Sequence, residues 1–277
     1  MVCGEVMYRY LKELYRFLKH IIQSRELLVT LVRNDFKRDY LGSYLGLVWA
    51  FIQPLTFIMI IWFVFTYGFR TAPVSGGTPF ILWLMCAMLP WFFISEALTS
   101  GTNAVVINSF LVKKVAFRVS ILPIVQILSS LIIHLGLMLV LVCMFFLYGY
   151  TPSIYWIQLP YYILCAVLFT LGISWITSAI RVFVRDVSNL IAVIIQIGFW
   201  GTPIFWNIKM IPHNYQWLFK LNPAYYITQG YRDTFIGHTW FYDNGYLSLC
   251  FIFFTLSILV VGSLTFKRLR PHFGDVL

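Results

Sequence analysis

Arg33 to Pro54 reads RNDFKRDYLGSYLGLVWAFIQP, a cationic stretch that passes without a break into apolar sequence. After Asp39 no charged residue appears until Arg70, an interval of 30 residues. As a helix that interval rises about 45 Å, enough to cross the roughly 30 Å hydrocarbon core of a bilayer. The junction therefore sets both the solvent of the chain and its orientation.

Composition agrees. Apolar residues make up 60% of the chain and charged residues only 11%, against roughly a quarter charged in soluble domains. Mean hydropathy is +0.82. The charge-free windows are 40–69, 71–95, 119–180, 187–208 and 244–266. The third holds two spans, because TPSIYWIQLP (Thr151 to Pro160) places turn residues at its middle. Six transmembrane helices follow, near 45–68, 80–100, 121–149, 160–180, 187–206 and 246–266. Runs this continuous do not read as the short alternating strands of a membrane β-barrel. The expected fold is an all-α integral membrane protein, with residues 1–44 as an interface helix and basic collar and 45–277 as the six-span domain.

The net charge of +10 is spread in a way that argues against nucleic acid as a partner. Of 20 Lys and Arg, 16 fall in segments 1–44, 101–120, 181–186 and 267–277, and the alternate loops carry 4. With an even number of spans, that bias puts both termini in the cytoplasm. Basic patches beside spans meet anionic headgroups, so membrane lipid is the expected partner. Cys86, Cys143, Cys165 and Cys250 fall inside expected spans, and Cys3 lies at the amino-terminal end. They form neither a disulfide framework nor a metal-ligand spacing. The first thirty residues are too charged to contain the apolar core of a cleavable signal peptide.

Residues 5–22 have helical periodicity, with Glu5, Arg9, Lys12, Arg16 and Lys19 opposite Met7, Leu11, Leu14, Leu18 and Ile21. Such a helix lies in the headgroup layer or packs on a partner protein. The loop from Asn103 to Ser120 reads as an apolar helix with a basic tip at Lys113, Lys114 and Arg118. It suits docking to a soluble partner as well as simple anchoring. Segment 207–245 is the one sizeable external element. There Asn222 and Pro223 are a helix start, an acceptor at the cap followed by a residue that needs no N–H. Ala224, Ile227, Tyr231 and Phe235 continue it as an apolar stripe, and a shorter helix covers Tyr215 to Lys220. Rich in Trp and Tyr, both helices suit the outer membrane interface, either as passive elements there or folded back into the bilayer to guard an exit.

Four stretches then take on a common meaning. They are YLGSYLGLVWAFIQPL (Tyr40 to Leu55), NSFLVKKVAF (Asn108 to Phe117), VRDVSNL (Val184 to Leu190), and TPIFW with LNPAYYITQGYRD (Thr202 to Trp206, Leu221 to Asp233). In this order, and on these sides of six spans, the chain resembles the membrane subunit of a type-2 ABC transporter. The branch it resembles exports polysaccharides and polyol-phosphate polymers: O-antigen, capsule or teichoic acid. Arg118 departs from the Pro that many relatives carry after the position of Phe117. The resemblance implies a homodimer in the bacterial cytoplasmic membrane, joined by two copies of a separate ATPase that carries ATP and Mg. No G-x-x-x-x-G-K-[ST] occurs in this chain, so ATP is not cradled here and no catalytic or metal site is expected. It further implies that Asn108, Leu111, Lys113, Lys114, Phe117 and Arg118 form the ATPase-coupling helix. Arg185 and Asp186 are implied as a hinge or subunit contact; Trp206, Asn222, Pro223, Tyr225 and Tyr226, in or beside the external segment, are the candidate external gate.

Moving a lipid-linked glycan needs a path polar enough for hydroxyls and smooth enough to slide along. Aromatic faces stack on sugar C–H faces, while Tyr O–H and Trp N–H donate hydrogen bonds. The chain has 10 Trp, 17 Tyr and 26 Phe. Trp49, Gln53, Thr56 and Ile60 share one face of the first span, and Gln196 and Trp200 one face of the fifth. A Gln in hydrocarbon points to a cavity or a neighbouring helix. These faces are the candidate pathway, with ordinary helix packing as the alternative. Glu96 and His134 are lone intramembrane titratable groups, compatible with a vestibule or with a proton relay. An exporter of small amphiphiles, a secondary transporter and a membrane enzyme are the competing classes.

Overall fold

The computed structural model describes residues 25–40, 46–70, 77–112 and 118–277. The expected surface helix over 5–22, and Lys113, Lys114 and Phe117, lie outside the described residues. In chain order the helices are α1 (Arg25–Tyr40), α2 (Val48–Phe63, prolonged by a π turn over Val64–Gly68), α3 (Phe80–Ile107) and α4 (Ser109–Val112). They continue as α5 (Leu122–Leu147), α6 (Leu159–Arg181), α7 (Val187–Gly201), α8 (His213–Lys220) and α9 (Pro223–Arg232). The last are α10 (Gly245–Leu269) and α11 (Phe273–Val276). Prolines open α5, α6 and α9, where a missing N–H leaves no bond unmade.

Five of these helices, with their flanking turns, are long and apolar enough to cross a membrane: Val48–Gly68, Phe80–Ile107, Val119–Leu147, Ile154–Arg181 and Gly245–Val276. The remaining expected span is shorter than its sequence window. Instead of 187–206, α7 stops at Gly201 after 15 residues. Thr202 is extended (φ −101°, ψ 135°) because Pro203 follows it, and a residue before proline is driven out of the helical region.

Helix α3 is the axis of the bundle. From Phe80 to Leu98 almost every side chain is buried, and α2, α5, α6, α7 and α9 all pack on it. At one end of the bundle Ala104, Val105, Leu122, Trp175, Ala179, Val182, Phe266 and Phe273 form a separate apolar cluster. It ties the end of α3 to the start of α5 and the ends of α6 and α10, so Arg118, Arg181, Arg185, Lys267 and Arg268 gather at that same basic end. Helices α6 and α10 cross where Gly172 faces Gly262. A Cβ on Gly262 would sit 2.4 Å from the Gly172 carbonyl oxygen, so only glycine permits this approach.

The basic collar is itself helical. Helix α1 buries Leu28 against Ile121 and Val125. Asp35, only 5% exposed, accepts from Gln126 Nε2 of α5 at 2.6 Å and from Arg38 at 2.5 Å. A single buried carboxylate thus fixes a cationic helix to the basic end of the bundle.

Candidate functional site

Helix α2 is the least embedded span. Ile58 is its one buried residue, so its remaining face is available to line something. That face borders a cavity of about 710 Å³ between α2, α3 and α5. Trp49, Gln53, Thr56 and Ile60, which share a face by helical spacing, all line it. Opposite them stand Ser95, Glu96 and Thr99 of α3 and Ser130 and His134 of α5. The lining therefore mixes hydroxyls, an amide, a carboxylate and an imidazole with the rings of Trp49, Phe57, Phe92 and Phe93. A chamber of this kind accommodates a hydroxyl-rich solute with apolar faces.

The two pathway residues on α7 are placed differently. Gln196 is exposed and Trp200 is 62% exposed, and neither borders the cavity. They are connected to it through a run of rings. Phe92 meets Phe57 at 6.1 Å, Phe57 meets Phe199 at 5.9 Å, and Phe199 meets Phe205 at 5.5 Å. Phe205 also contacts Trp200 at 5.2 Å and Phe65 at 5.6 Å, and Phe65 stacks on Phe80 at 5.7 Å. The ladder climbs from the cavity towards the end of the bundle that holds segment 202–245, and α2 and α7 are its two rails.

The two helices of that segment are placed differently from each other. Helix α9 is not laid on a surface: Ala224, Tyr225, Tyr226, Ile227, Thr228, Gly230, Tyr231 and Arg232 are all buried. Asn222 caps it as its sequence foretells, Oδ1 accepting from the Ala224 N–H at 3.0 Å, while Nδ2 donates to Thr202 Oγ1 at 2.8 Å. Pro223 is its first residue. The Tyr226 hydroxyl donates to Ser248 Oγ at 3.0 Å and lies 2.9 Å from the Tyr161 hydroxyl. Tyr231 bonds His134 Nε2 at 2.8 Å, which links α9 to a wall of the cavity. Gly230 lets α9 lie against α6, since a Cβ there would stand 2.0 Å from the Tyr162 ring. Trp206 is half-buried, its Nε1 3.4 Å from the Trp200 carbonyl and its ring 5.3 Å from Phe219. By contrast α8 is exposed along Tyr215, Trp217 and Leu218. Of the nominated gate, Asn222, Pro223, Tyr225 and Tyr226 belong to a packed frame and Trp206 lies half-buried, while α8, outside that nomination, is exposed.

Arg232, absent from the sequence-derived candidates, is the pin of that frame. It is 4% exposed, and its guanidinium lies 3.4 Å from the centre of the Trp83 ring. Its Nη1 donates to the Pro203 carbonyl at 2.6 Å, Nη2 to the Ile204 carbonyl and Nε to the Trp83 carbonyl at 3.4 Å. The legible signal was a lone cation on an otherwise apolar and aromatic helix.

Next to it, burial pushes the Asp233 carboxyl up to about 6 from an ordinary 3.8, although Gln229, which donates to it at 2.8 Å, and Arg232 pull the other way. The folded protein thus binds this proton more tightly than the unfolded chain. The group's stabilising contribution is complete in acid and is lost as pH rises from about 4 through 6. Asp233→Asn should gain melting temperature over the parent progressively across that window, then by a constant amount above it. A difference that does not vary with pH would assign the titration elsewhere.

At the basic end, Asn108 closes α3, its Nδ2 donating to the Ala104 carbonyl at 2.9 Å, and Leu111 packs on the apolar cluster there. Arg118 is exposed and extended ahead of the turn Val119–Ile121. Arg185 and Asp186 are both exposed in the turn between α6 and α7, and the Asp186 side chain makes no capping bond to α7. Among the described residues no group of three or more His, Cys, Asp and Glu converges to hold a metal ion.

Comparison with known proteins fits this layout. Residues 26–236 match the family described as ABC-2 type transporter. An O-antigen export system permease protein, RfbA, of Klebsiella pneumoniae is 32% identical over 254 residues, covering 91% of this chain and 95% of that one. A second RfbA from the same species is 29% identical with the same coverage. The RfbA permease of Myxococcus xanthus is 28% identical over 265 residues, covering 94% of this chain and 98% of its own.

Proposed function

Since the chain belongs to the ABC-2 type transporter family, we propose that it is the permease subunit of an ATP-driven exporter of a lipid-linked polysaccharide. The O-antigen export permeases among its relatives point to that class of cargo. The observation that carries the reading is the 710 Å³ cavity on the open face of α2, continued by the aromatic ladder between α2 and α7. From Phe92 to Phe80 the run of rings extends about 18 Å along α3, an elongated path that favours a chain-like cargo over a compact amphiphile.

In this reading two copies pair with their α2 and α7 faces opposed, so that Trp49, Gln53, Thr56, Gln196 and Trp200 line one conduit. Helix α7 with 202–206 serves as the sixth crossing. Both termini face the cytoplasm of a bacterial inner membrane, which the gathering of Lys and Arg at one end supports. The loop with Asn108, Leu111, Lys113, Lys114, Phe117 and Arg118 seats two copies of an ATPase that supplies ATP and Mg, with Arg185 and Asp186 at the adjoining turn. Trp206 and α8 close the outer mouth against the frame of Asn222, Pro223, Tyr225 and Tyr226.

Trp49→Ala tests the conduit. Losing one stacking surface is worth roughly 1 kcal/mol, or about a fivefold fall in export. Surface polysaccharide, measured in cells that depend on this chain, should fall by that order while insertion and complex assembly stay normal. Undiminished display would return Trp49 to a packing role.

A further inference from the structure

The reading above names a loop that receives force and a helix that lines a path, but not what connects them. Three helices meet at one side chain near the basic end. Asn103, half-buried near the end of α3, accepts at Oδ1 from Arg181 Nε of α6 at 2.6 Å and from Ser188 Oγ of α7 at 2.8 Å. Its Nδ2 donates to the Thr99 carbonyl one turn back at 2.9 Å, which fixes the orientation of the amide. Arg181 also reaches the Arg185 carbonyl at 3.4 Å, closing the turn into α7.

The surroundings on one side are rigid. One residue before Asn103, the hydroxyls of Thr102 and Thr177 bond at 2.8 Å and are buried. At Gly101 an added Cβ would stand 2.3 Å from Ser174 Oγ. Helices α3 and α6 are therefore locked at this level, and the loop from 108 continues directly from α3. Helix α7 is different: short, exposed along Leu190, Val193, Ile194 and Ile197, and broken at Thr202. It enters the bundle through an exposed turn, and Ser188 gives its first turn a polar hold on α3.

We propose that Asn103 is the joint through which displacement of the ATPase-seating loop moves α7, carrying Gln196 and Trp200 with it. The inference rests on the proposed seating of an ATPase on that loop. Asn103 is a positioning residue: it touches no cargo, and it acts by gripping Ser188.

The test uses the full complex with its ATPase in lipid nanodiscs, its native cysteines replaced by Ala, spin-labelled at Leu190→Cys on α7 and, as a fixed reference, at the exposed Val260→Cys on α10, which crosses α6 at Gly172 and Gly262. The distance between labels is compared before and after trapping with ATP and vanadate. In the otherwise unmodified complex the distance shifts on trapping. Asn103→Leu abolishes the shift, keeps basal ATP hydrolysis within about twofold, and lowers surface polysaccharide about tenfold in cells. Asn103→Asp keeps the acceptor oxygen and keeps the shift. Ser188→Ala, which removes a single hydroxyl, loses the shift as Asn103→Leu does, and the double variant is no worse than either. A shift that survives in Asn103→Leu or in Ser188→Ala overturns the proposal, as do losses that multiply in the double variant. If the unsubstituted complex shows no ATP-dependent export, the exporter reading falls. The label distances still decide the joint.

Discussion

Gly262→Leu is expected to leave almost no folded protein. The Gly262 Cα faces the backbone of Gly172, and an added Cβ would lie 2.4 Å from its carbonyl oxygen. The obstacle is main chain in the middle of a helix, so it cannot rotate aside. Separating α6 from α10 also strips contacts from Trp175, whose Cβ would be 3.3 Å from the new atom. Overpacking a tight core costs about 1–3 kcal/mol and more where the obstacle is immovable main chain, a large share of a stability of roughly 5–15 kcal/mol. In detergent, size-exclusion chromatography of a fluorescent fusion should show the monodisperse peak replaced by aggregate. Gly262→Ala should be intermediate, and Gly201→Ala, where an added Cβ meets nothing within 4 Å, should be benign. A monodisperse Gly262→Leu would mean that α6 and α10 do not cross at these glycines.

Arg232→Ala should be the most damaging change in segment 202–245. It removes the donors to the Trp83, Pro203 and Ile204 carbonyls, and Thr202, Pro203 and Ile204 are themselves buried. Irregular backbone at membrane depth survives only when protein groups satisfy it. Each buried carbonyl stripped of its partner costs about 1–3 kcal/mol, so the loss should reach several kcal/mol. Arg232→Lys should recover only part of it, because a point charge cannot fork between two carbonyls while lying flat on Trp83. The expected result is a lowered melting temperature with new proteolytic cleavage between 202 and 222, and surface polysaccharide lost in step. Cleavage at the parent rate would show that the frame holds without its pin.

Much of the fold was legible because charge-free windows and helical spacing are local properties. The faces at Trp49, Gln53, Thr56 and Ile60, and the Asn222–Pro223 helix start, needed nothing beyond the neighbouring residues. What escaped was tertiary. The window 187–208 gives no sign that α7 stops early except Pro203, whose effect on Thr202 falls one residue before it. For α9 the sequence leaves an interfacial position and one folded back into the bilayer both open, because Tyr and Arg look amphipathic. It is buried because other elements supply partners, namely His134 of α5 for Tyr231, Ser248 of α10 and Tyr161 of α6 for Tyr226, and the Trp83, Pro203 and Ile204 carbonyls for Arg232. Asn103 was invisible for the same reason: its partners lie 78 and 85 residues away. The collar at 25–40 read as charge set against anionic headgroups, and its docking through Leu28 on Ile121 and Val125 and through Asp35 on Gln126 is visible only in three dimensions.

The shortness of α7 bears on the lipid as well as on the protein. Its 15 residues rise about 22 Å, short of a hydrocarbon core of about 30 Å. In the proposed six-crossing arrangement the crossings of 28 to 32 residues can tilt to match a thicker or thinner bilayer, but α7 has no spare length to tilt. Hydrophobic mismatch therefore falls on this one sector, where acyl chains must thin or the buried 202–206 stretch must cover the difference. Acyl-chain length becomes a dial on the position of α7, so transport should be more sensitive to membrane thickness than assembly is.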